Sequence, residues 1–365
     1  MKRNIVFRAD ASIQIGSGHV MRCLALAEAW RTYGGDVALL GHIESEKLQK
    51  RIVAMGIQYI ALSGTLSFQN DLNQLDDFRL TCRDAAHRSD EPPWLVLDGY
   101  HFDTAYQHAV RQQGYRLCVV DDFAHLGFYD ADVLLNQNIG ADQLDYRFPP
   151  STQTLLGPKY VMLRGQFLSW HRFERSFTEQ APNILVTVGG TDVRNQIPKV
   201  LRALQAITSV CLTIKIVLGF DHMETEEFRQ ALDIASRLHK VELLQGVEDM
   251  PSLMAWADLA VAAGGSTTYE LAFMGVPMIL MAIAENQLGV VQGLHQAGAA
   301  VSLGWYEHIA DQAMIQAIDQ LSANCALRSR MSLAGRNLVD GRGSTRIVQT
   351  CLQLDNQNLT KDEIV

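Results

Sequence analysis

A glycine-rich turn near the start of the chain holds a histidine in a position suited to chemistry. Gly16, Ser17 and Gly18 precede His19, and the turn lies between an apolar run at 5–7 and a helical pattern over 20–33. The first N–H groups of such a helix carry partial positive charge, which disfavours an imidazolium. His19 is therefore expected to stay neutral, as a general base requires. A plain polar helix start remains the alternative, because Val-Met-Arg follows where a dinucleotide site has its third glycine.

Two glycine turns in the second half follow apolar runs and precede helical patterns: Gly189-Gly190 and Gly265-Ser266-Thr267. Backbone N–H groups and hydroxyls in such turns can hold a diphosphate. Glu270 lies one turn into the second of these helices, where its carboxylate suits the two hydroxyls of a ribose. Thr267 and Glu270 also have the spacing of a capping box, so both interpretations stay open.

Short apolar runs alternate with helical patterns along the chain, which predicts an α/β fold with parallel sheets covered on both faces. The predicted strands are 5–8, 37–40, 57–62, 94–98, 117–121, 133–136, 184–188, 212–218, 241–244, 259–263 and 276–280. Ligands of such sheets bind beyond the carboxyl ends of the strands. The polar residues that follow the early strands are Asp10, Asp98, Tyr100, Asp121, Asp122 and the stretch 136–138.

The pattern divides the chain into two domains and their connections. We expect a first Rossmann-like domain over 1–160 with the histidine and a connector over 161–182. A second Rossmann-like domain over 183–342 follows, and then a carboxyl-terminal helix and tail over 343–365. The helix is expected to cross back to the first half, and residues 355–365 are expected to form a solvated tail.

Composition limits the possible partners. The chain has 365 residues, is 48% hydrophobic and 19% charged, and has a net charge of −9, which argues against nucleic acid and anionic membranes as partners. None of its six cysteines pair at CxxC spacing, which favours free thiols in a reducing cytosol. With no apolar signal region and no segment of transmembrane length, a soluble cytoplasmic protein is expected.

The second half resembles the donor-binding domain of the UDP-N-acetylglucosamine transferase that makes lipid II. The resemblance is carried by Asp249-Met250, Gly264 to Glu270, and Gly275-Val276-Pro277. It implies a GT-B fold, with two doubly wound domains facing a cleft. It further implies that Glu270 binds the uridine ribose, that backbone near Met250 meets the uracil, and that the glycine turn takes the phosphates. Asn286 and Gln287 would face the donor sugar.

The first half resembles the UDP-sugar hydrolases of the pseudaminic acid pathway. The matching stretches are 7–22, 98–100, 121–122, 135–138 and 156–160. The resemblance implies that water cleaves UDP-2,4-diacetamido-2,4,6-trideoxy-β-L-altropyranose to UDP and the free sugar. It implies inverting C–O cleavage with neither metal nor cofactor, and His19 as the catalytic residue.

The expected roles follow from this resemblance. His19 activates water, and Asp10 aligns His19 or the sugar, while Arg22 meets a phosphate or pairs with a nearby acid. The turn residues Gly16, Ser17 and Gly18, together with Tyr100, belong to the domain that recognises the sugar. Three alternatives stay open: a GT-B transferase that uses a UDP-sugar donor, a UDP-sugar 2-epimerase, and a UDP-sugar-binding module without turnover.

Overall fold

The computed structural model describes residues 4–62, 68–85, 92–189, 192, 194–208, 210–219 and 224–362. The chain divides into two compact units. Unit 1 comprises Met1–Arg164 and Arg342–Val365, and unit 2 comprises Gly165–Gly341. The second unit is therefore one continuous segment, while the first is assembled from both ends of the chain.

Strands and helices alternate through both units. The strands are β1 Ile5–Ala9, β2 Val37–Gly41, β3 Gln58–Ala61, β4 Trp94–Asp98, β5 Arg116–Val120, β6 Val133–Asn136, β7 Gln153–Leu156, β8 Asn183–Thr187, β9 Thr213–Leu218, β10 Lys240–Gln245, β11 Leu259–Ala263, β12 Met278–Ala282 and β13 Ala300–Trp305. The helices are α1 Gly18–Thr32, α2 Glu46–Ala54, α3 Phe68–Ala85, α4 Thr104–Gln112, α5 Gly165–Leu168, α6 Gln196–Gln205, α7 Glu226–Leu238, α8 Met250–Trp256, α9 Thr267–Phe273, α10 Leu288–Gln296, α11 Asp311–Ala323, α12 Cys325–Leu338 and α13 Gly343–Asp362.

Unit 1 is built on a parallel sheet in the order β3-β2-β1-β4-β5-β6-β7. The strand order reverses between β1 and β4, whose register pairs Ala9 with Asp98. At such a reversal the connecting helices leave on opposite faces, which opens a crevice at the carboxyl edge. His19, near the start of α1, and Asp98, at the end of β4, therefore belong to the same edge.

The continuous apolar runs arise because both faces of this sheet are covered. Along β4, Trp94 and Val96 pack into one apolar cluster with α1 and α13, while Leu95 and Leu97 pack into another with α4. Successive side chains of a strand point to opposite faces, so every position is buried. The predicted α/β class with doubly wound parallel sheets is thus confirmed for this unit.

Unit 2 repeats the arrangement with a parallel sheet in the order β10-β9-β8-β11-β12-β13. The order reverses between β8 and β11, and β11 is entirely buried. The turn after β11 leads into α9, so the glycine turn at 264–266 lies at the reversal point of this sheet.

The segment predicted as a connector over 161–182 is divided at Arg164, and its larger part belongs to unit 2. Arginine side chains hold that part in place by donating to backbone carbonyls. Arg175 donates to Met254 O at 2.7 Å, and Arg336 donates to His171 O at 3.1 Å. Arg328 is buried and donates to Thr178 O. Donation to carbonyls stabilises this polar segment without an apolar core of its own.

Helix α13 returns to unit 1, where Asp355 anchors it. Its carboxylate accepts a hydrogen bond from Trp94 Nε1 at 3.2 Å and pairs with Arg116 Nε at 3.2 Å. Asp355 is only 4% exposed. The prediction of a solvated tail from residue 355 is therefore wrong for this residue, because a buried indole N–H and a guanidinium require its carboxylate.

Among the described residues, none of the helices has the length and apolar character needed to cross a bilayer.

We predict that Asp355→Ala destabilises unit 1 by about 2 kcal/mol, since it leaves a buried indole N–H and a guanidinium without their acceptor. Urea unfolding followed by tryptophan fluorescence measures the loss. Asp319→Ala, which removes an exposed helical carboxylate, is the matched control and should change stability by less than about 0.5 kcal/mol. Equal effects of the two substitutions would contradict the anchoring role.

Candidate active site

His19 is held by a carboxylate at the carboxyl edge of the unit 1 sheet. It is the second residue of α1, and its Nδ1 lies 2.6 Å from Asp98 Oδ1. The His19 side chain is 14% exposed, whereas the Asp98 side chain is fully buried. The imidazole is thus fixed from the protein side while part of the ring faces solvent.

Arg22 joins two buried carboxylates beside this histidine. It lies one turn further along α1, and its Nε and Nη2 each donate to Asp98 at 2.6 Å. Its Nη1 and Nη2 donate to Asp122 at 2.8 and 3.0 Å. The guanidinium therefore makes two forked ion pairs, a geometry that a lysine cannot reproduce. Arg22 had been predicted to meet a phosphate or a nearby acid, and here it pairs with acids.

The buried charges determine the protonation states of Asp98 and Arg22. Burial raises the pKa of Asp98, but Arg22 and His19 lower it more, and the net shift is well below the usual range. Burial lowers the pKa of Arg22, yet Asp122 and Asp98 raise it well above its usual value. An ionised Asp98 accepts from Nδ1–H, which fixes the tautomer and leaves the lone pair of His19 on Nε2. That nitrogen has the form a general base needs.

Tyr100 and Asn138 complete the group through Asp122. The Tyr100 hydroxyl donates to Asp122 Oδ2 at 2.6 Å, and Asn138 Nδ2 donates to Asp122 Oδ1 at 2.8 Å. The Tyr100 ring meets the His19 ring edge to face, with centroids 5.0 Å apart. Burial, and then the charge of Asp122, raises the pKa of Tyr100. Its hydroxyl therefore stays protonated and acts as a donor.

Asp10 does not align His19, contrary to expectation. Its carboxylate pairs with the buried Arg8, Nη1 to Oδ1 at 2.5 Å, and accepts from the His42 backbone N–H at 2.7 Å. Its second oxygen lies 3.3 Å from His101 Nε2. Asp10 follows β1 and Asp98 ends β4, so both reach the same edge, but the side chain of Asp98 is the one bonded to His19. The contact with His19 expected of Asp10 is therefore made by Asp98, while the alternative that Asp10 orients the sugar stays a prediction.

The turn before His19 is folded by its own backbone. Gly16 has φ +74°, and its N–H donates to Ser12 O at 2.9 Å. Gly18 is exposed, with nothing within 4 Å of where a Cβ would lie. Ser17 precedes α1 and makes no side-chain cap bond. The N–H of Gly16 is thus occupied, while the surface at Gly18 is open.

A second aspartate–histidine pair, not anticipated from the sequence, lies beside Tyr100. Asp121 Oδ1 is 2.5 Å from His125 Nδ1, and Asp121 also accepts from the hydroxyls of Tyr129 and Tyr146. Burial raises the pKa of Asp121, but hydrogen bonds from His125, Tyr146 and the Ala124 backbone N–H lower it more, so that it falls below its usual value. This carboxylate holds together the loop that follows β5, and His125 Nε2 is covered by protein.

In unit 2, the glycine turn after β11 approaches the segment before α10. A Cβ on Gly264 would lie 2.5 Å from Val291 Cγ2, so only glycine fits there. At Gly265 the nearest atom, Gln287 Nε2, would be 4.0 Å from such a Cβ. Gln287 Oε1 accepts from the Ile283 N–H at 3.0 Å, which directs the amide toward the turn. Gly265 and Gln287 are thus brought together, with Asn286 next to Gln287 and half-buried.

The capping box that was one of two interpretations of Thr267 and Glu270 does not form with Thr267 as the N-cap. Helix α9 begins at Thr267 with Ser266 as its N-cap, and Ser266 makes no side-chain cap bond. Thr267 is therefore already inside the helix and does not occupy the cap position. Ser266 is exposed, and Thr267 and Glu270 are half-buried.

The other residues of unit 2 that were predicted to bind substrate are Gly189, Gly190 and Met250. Gly189 follows β8 with φ +100° and open space around it, while Gly190 lies outside the described residues. The Asp192 carboxylate accepts from the first N–H groups of α6, Gln196 N at 2.7 Å and Ile197 N at 2.8 Å. A phosphate at that helix start would compete with this carboxylate. Met250 is buried, with 6% of its surface exposed, and its predicted contact with the uracil stays a prediction.

A cluster of three or more His, Cys, Asp and Glu side chains suited to a metal ion is not found within the described ranges.

Both units are similar to proteins of known structure, and unit 2 also matches a protein family. Residues 183–337 match the glycosyltransferase family 28 C-terminal domain. MurG of Acinetobacter baumannii superposes with a TM-score of 0.66 at 17% identity, covering 96% of this chain and 99% of that one. UDP-GlcNAc 2-epimerase from Neisseria meningitidis superposes with a TM-score of 0.63 at 14% identity, covering 97% and 100%. The predicted GT-B fold is confirmed.

Three relatives found by sequence comparison are between 21% and 27% identical to this chain. An uncharacterized protein of Methanocaldococcus jannaschii is 24% identical over 76% of this chain. The spore coat polysaccharide biosynthesis protein SpsG of Bacillus subtilis is 27% identical over 63% of this chain and 67% of its own length. The UDP-2,4-diacetamido-2,4,6-trideoxy-beta-L-altropyranose hydrolase of Campylobacter jejuni is 21% identical over 81% of this chain and 98% of its own. The chain spans 55% of the archaeal relative's length.

The lowered pKa of Asp98 predicts a pH-dependent stability. Ionised Asp98 stabilises the fold at pH values above its pKa in the unfolded chain, about 3.9. This stabilisation is lost as the pH falls through the lower pKa that Asp98 has in the folded protein. The stability difference between the wild type and Asp98→Asn should therefore be largest above about pH 5 and shrink toward about pH 2. Urea unfolding across this range measures it. The difference for Asp319→Asn, an exposed site, should stay flat; a flat difference for Asp98→Asn as well would refute the linkage.

Proposed function

We propose that this protein is a UDP-sugar hydrolase that acts on UDP-2,4-diacetamido-2,4,6-trideoxy-β-L-altropyranose and releases UDP and the free sugar. The observation that carries the proposal is the His19–Asp98 contact of 2.6 Å, with Arg22 fixing the carboxylate. The likeness to the Campylobacter hydrolase over 98% of that protein's length supports the choice of substrate. The family 28 domain match supports UDP recognition by unit 2.

The chemistry assigns one step to each group. His19 Nε2 removes a proton from water, and the water oxygen forms a bond to the anomeric carbon. The bond from that carbon to the phosphate oxygen breaks, and UDP leaves with the electron pair. Asp98 stabilises the imidazolium that forms, because its ionised carboxylate faces Nδ1–H. Attack from the side opposite UDP inverts the anomeric centre.

Unit 2 supplies the binding of UDP in this proposal. The backbone of the turn at Gly265, Ser266 and Thr267 donates to the diphosphate, and Glu270 accepts from the ribose hydroxyls. Charge that develops on the leaving phosphate is stabilised by donors already in place. Gln287, which lies beside the turn, and its neighbour Asn286 contact the donor sugar in this proposal.

The deciding experiment follows UDP release from a small panel of UDP-diacetamido sugars in oxygen-18 water. The hydrolase yields free sugar that carries the heavy isotope at its anomeric oxygen, with unlabelled UDP. Label in UDP would mean P–O cleavage and overturn the mechanism. Release that requires an added sugar or lipid acceptor indicates the transferase, and a product with inverted C2 indicates the 2-epimerase. Binding of UDP without release indicates a module without turnover.

We predict that His19→Asn lowers kcat by about 1,000-fold or more while UDP binds with unchanged affinity, because the substitution removes the base and leaves unit 2 intact. Steady-state kinetics and calorimetric UDP titration measure the two effects. His108→Asn is the matched control, since His108 also faces an aspartate, Asp130, at 2.9 Å but its side chain is 63% exposed. Near-normal turnover in His19→Asn would exclude His19 as the base.

Glu270→Ala is expected to weaken UDP binding by about 10- to 100-fold, which corresponds to the loss of hydrogen bonds to a charged acceptor. The melting temperature should change little. Glu226→Ala serves as control, because Glu226 is also an acid in the first turn of a helix and its side chain is 69% exposed. A lower melting temperature with unchanged UDP affinity would assign Glu270 a structural role instead.

A further inference from the structure

Asp122 is a buried carboxylate that the proposed chemistry does not itself use. It follows β5, is 8% exposed, and accepts hydrogen bonds from side chains of three separate segments. These donors are Arg22 of α1, Tyr100 of the loop after β4, and Asn138 of the loop after β6. Both oxygens are used, since Oδ1 accepts from Arg22 and Asn138 and Oδ2 accepts from Arg22 and Tyr100.

The position of Asp122 affects His19 along two routes. The first is electrostatic. Arg22 carries one positive charge and pairs with two carboxylates, Asp98 and Asp122, so the three side chains together have one net negative charge close to His19. The second is steric, because the hydroxyl of Tyr100 is bonded to Asp122 while its ring packs against the His19 ring at 5.0 Å. Neither route requires contact between Asp122 and His19.

Other polar groups near His19 do not replace Asp122. Asp98 is already bonded through both oxygens to Arg22 and His19. His101, from the same loop as Tyr100, faces Asp10 at 3.3 Å. Burial, and then the charge of Arg8, lowers the pKa of His101, so it adds little positive charge near neutral pH. Asp121 is engaged by His125 and two tyrosines.

We propose that Asp122 is a positioning residue that sets both the basicity of His19 and the orientation of Tyr100. This inference deepens the proposed function and rests on His19 being the base. With Asp122 neutral, Asp98 alone balances Arg22 and the group loses its net negative charge, which disfavours the imidazolium, so His19 titrates at lower pH. Tyr100 meanwhile loses the charged acceptor of its hydroxyl, which weakens the restraint on a ring that also packs against Phe123 and His125.

The test compares the titration of His19 in the wild type and in Asp122→Asn by long-range ¹H–¹⁵N NMR of the imidazole. The pKa of His19 should fall by about one unit in the variant, the size expected for one removed charge at this range. The acid limb of kcat/KM should move to lower pH by the same amount, and kcat/KM at its plateau should fall about 10-fold or more because the hydroxyl of Tyr100 loses its charged acceptor.

Two further variants separate positioning from folding. Tyr100→Phe keeps the charge of Asp122, so it should lower the plateau without moving the acid limb. Asp130→Asn removes a carboxylate of the same kind in the same unit, one that pairs with His108 and Arg111 and is 14% exposed. It should lower the melting temperature and leave the His19 titration unchanged.

A shift of the His19 pKa in Asp122→Asn, absent in Asp130→Asn, supports the inference. An unchanged His19 titration in a folded Asp122→Asn protein overturns it, even if the melting temperature falls. The NMR readout needs no substrate, so a wild type that releases no UDP would refute the proposed function while the titration still decides the role of Asp122.

Discussion

The guanidinium of Arg22 is the charge on which the carboxyl edge of the unit 1 sheet depends. Two ionised carboxylates, Asp98 and Asp122, are buried there, and burial of such charges is costly unless each is paired and hydrogen-bonded. One planar cation satisfies both with four donated bonds. Because the carboxylates come from β4 and from the loop after β5, the same interaction fixes α1 against two strand ends. The orientation of His19 is a result of this charge balance.

The core of the fold was predictable because a parallel sheet covered on both faces requires continuous apolar runs, and β1, β4 and β11 show them. The strands β7 and β13 were not predicted. Each is an edge strand with one neighbour, and each is only partly buried. Asp355 was misplaced for a related reason, since a single buried carboxylate that meets Trp94 leaves no periodic pattern in a polar segment.

At the site, local patterns were informative and distant contacts were not. His19 was predictable because the turn and the helix start adjoin it in sequence. Its partner was not, because Asp10 and Asp98 both reach the same edge and strand order alone does not show which side chain turns toward α1. Arg22 lies one helical turn from His19, yet its two partners are 76 and 100 residues away. The pairing of His125 with Asp121 is local in sequence, but it followed no recognised motif.

The return of α13 has a consequence for how the molecule forms during synthesis. Asp355 accepts from Trp94 across 261 residues of sequence, and unit 2 lies entirely within that interval. On a ribosome, unit 2 can complete its sheet while Trp94 and Arg116 still lack their acceptor. The nascent first unit therefore keeps this indole N–H and guanidinium without their acceptor until helix α13 has emerged, which prolongs the time for which it is incompletely folded.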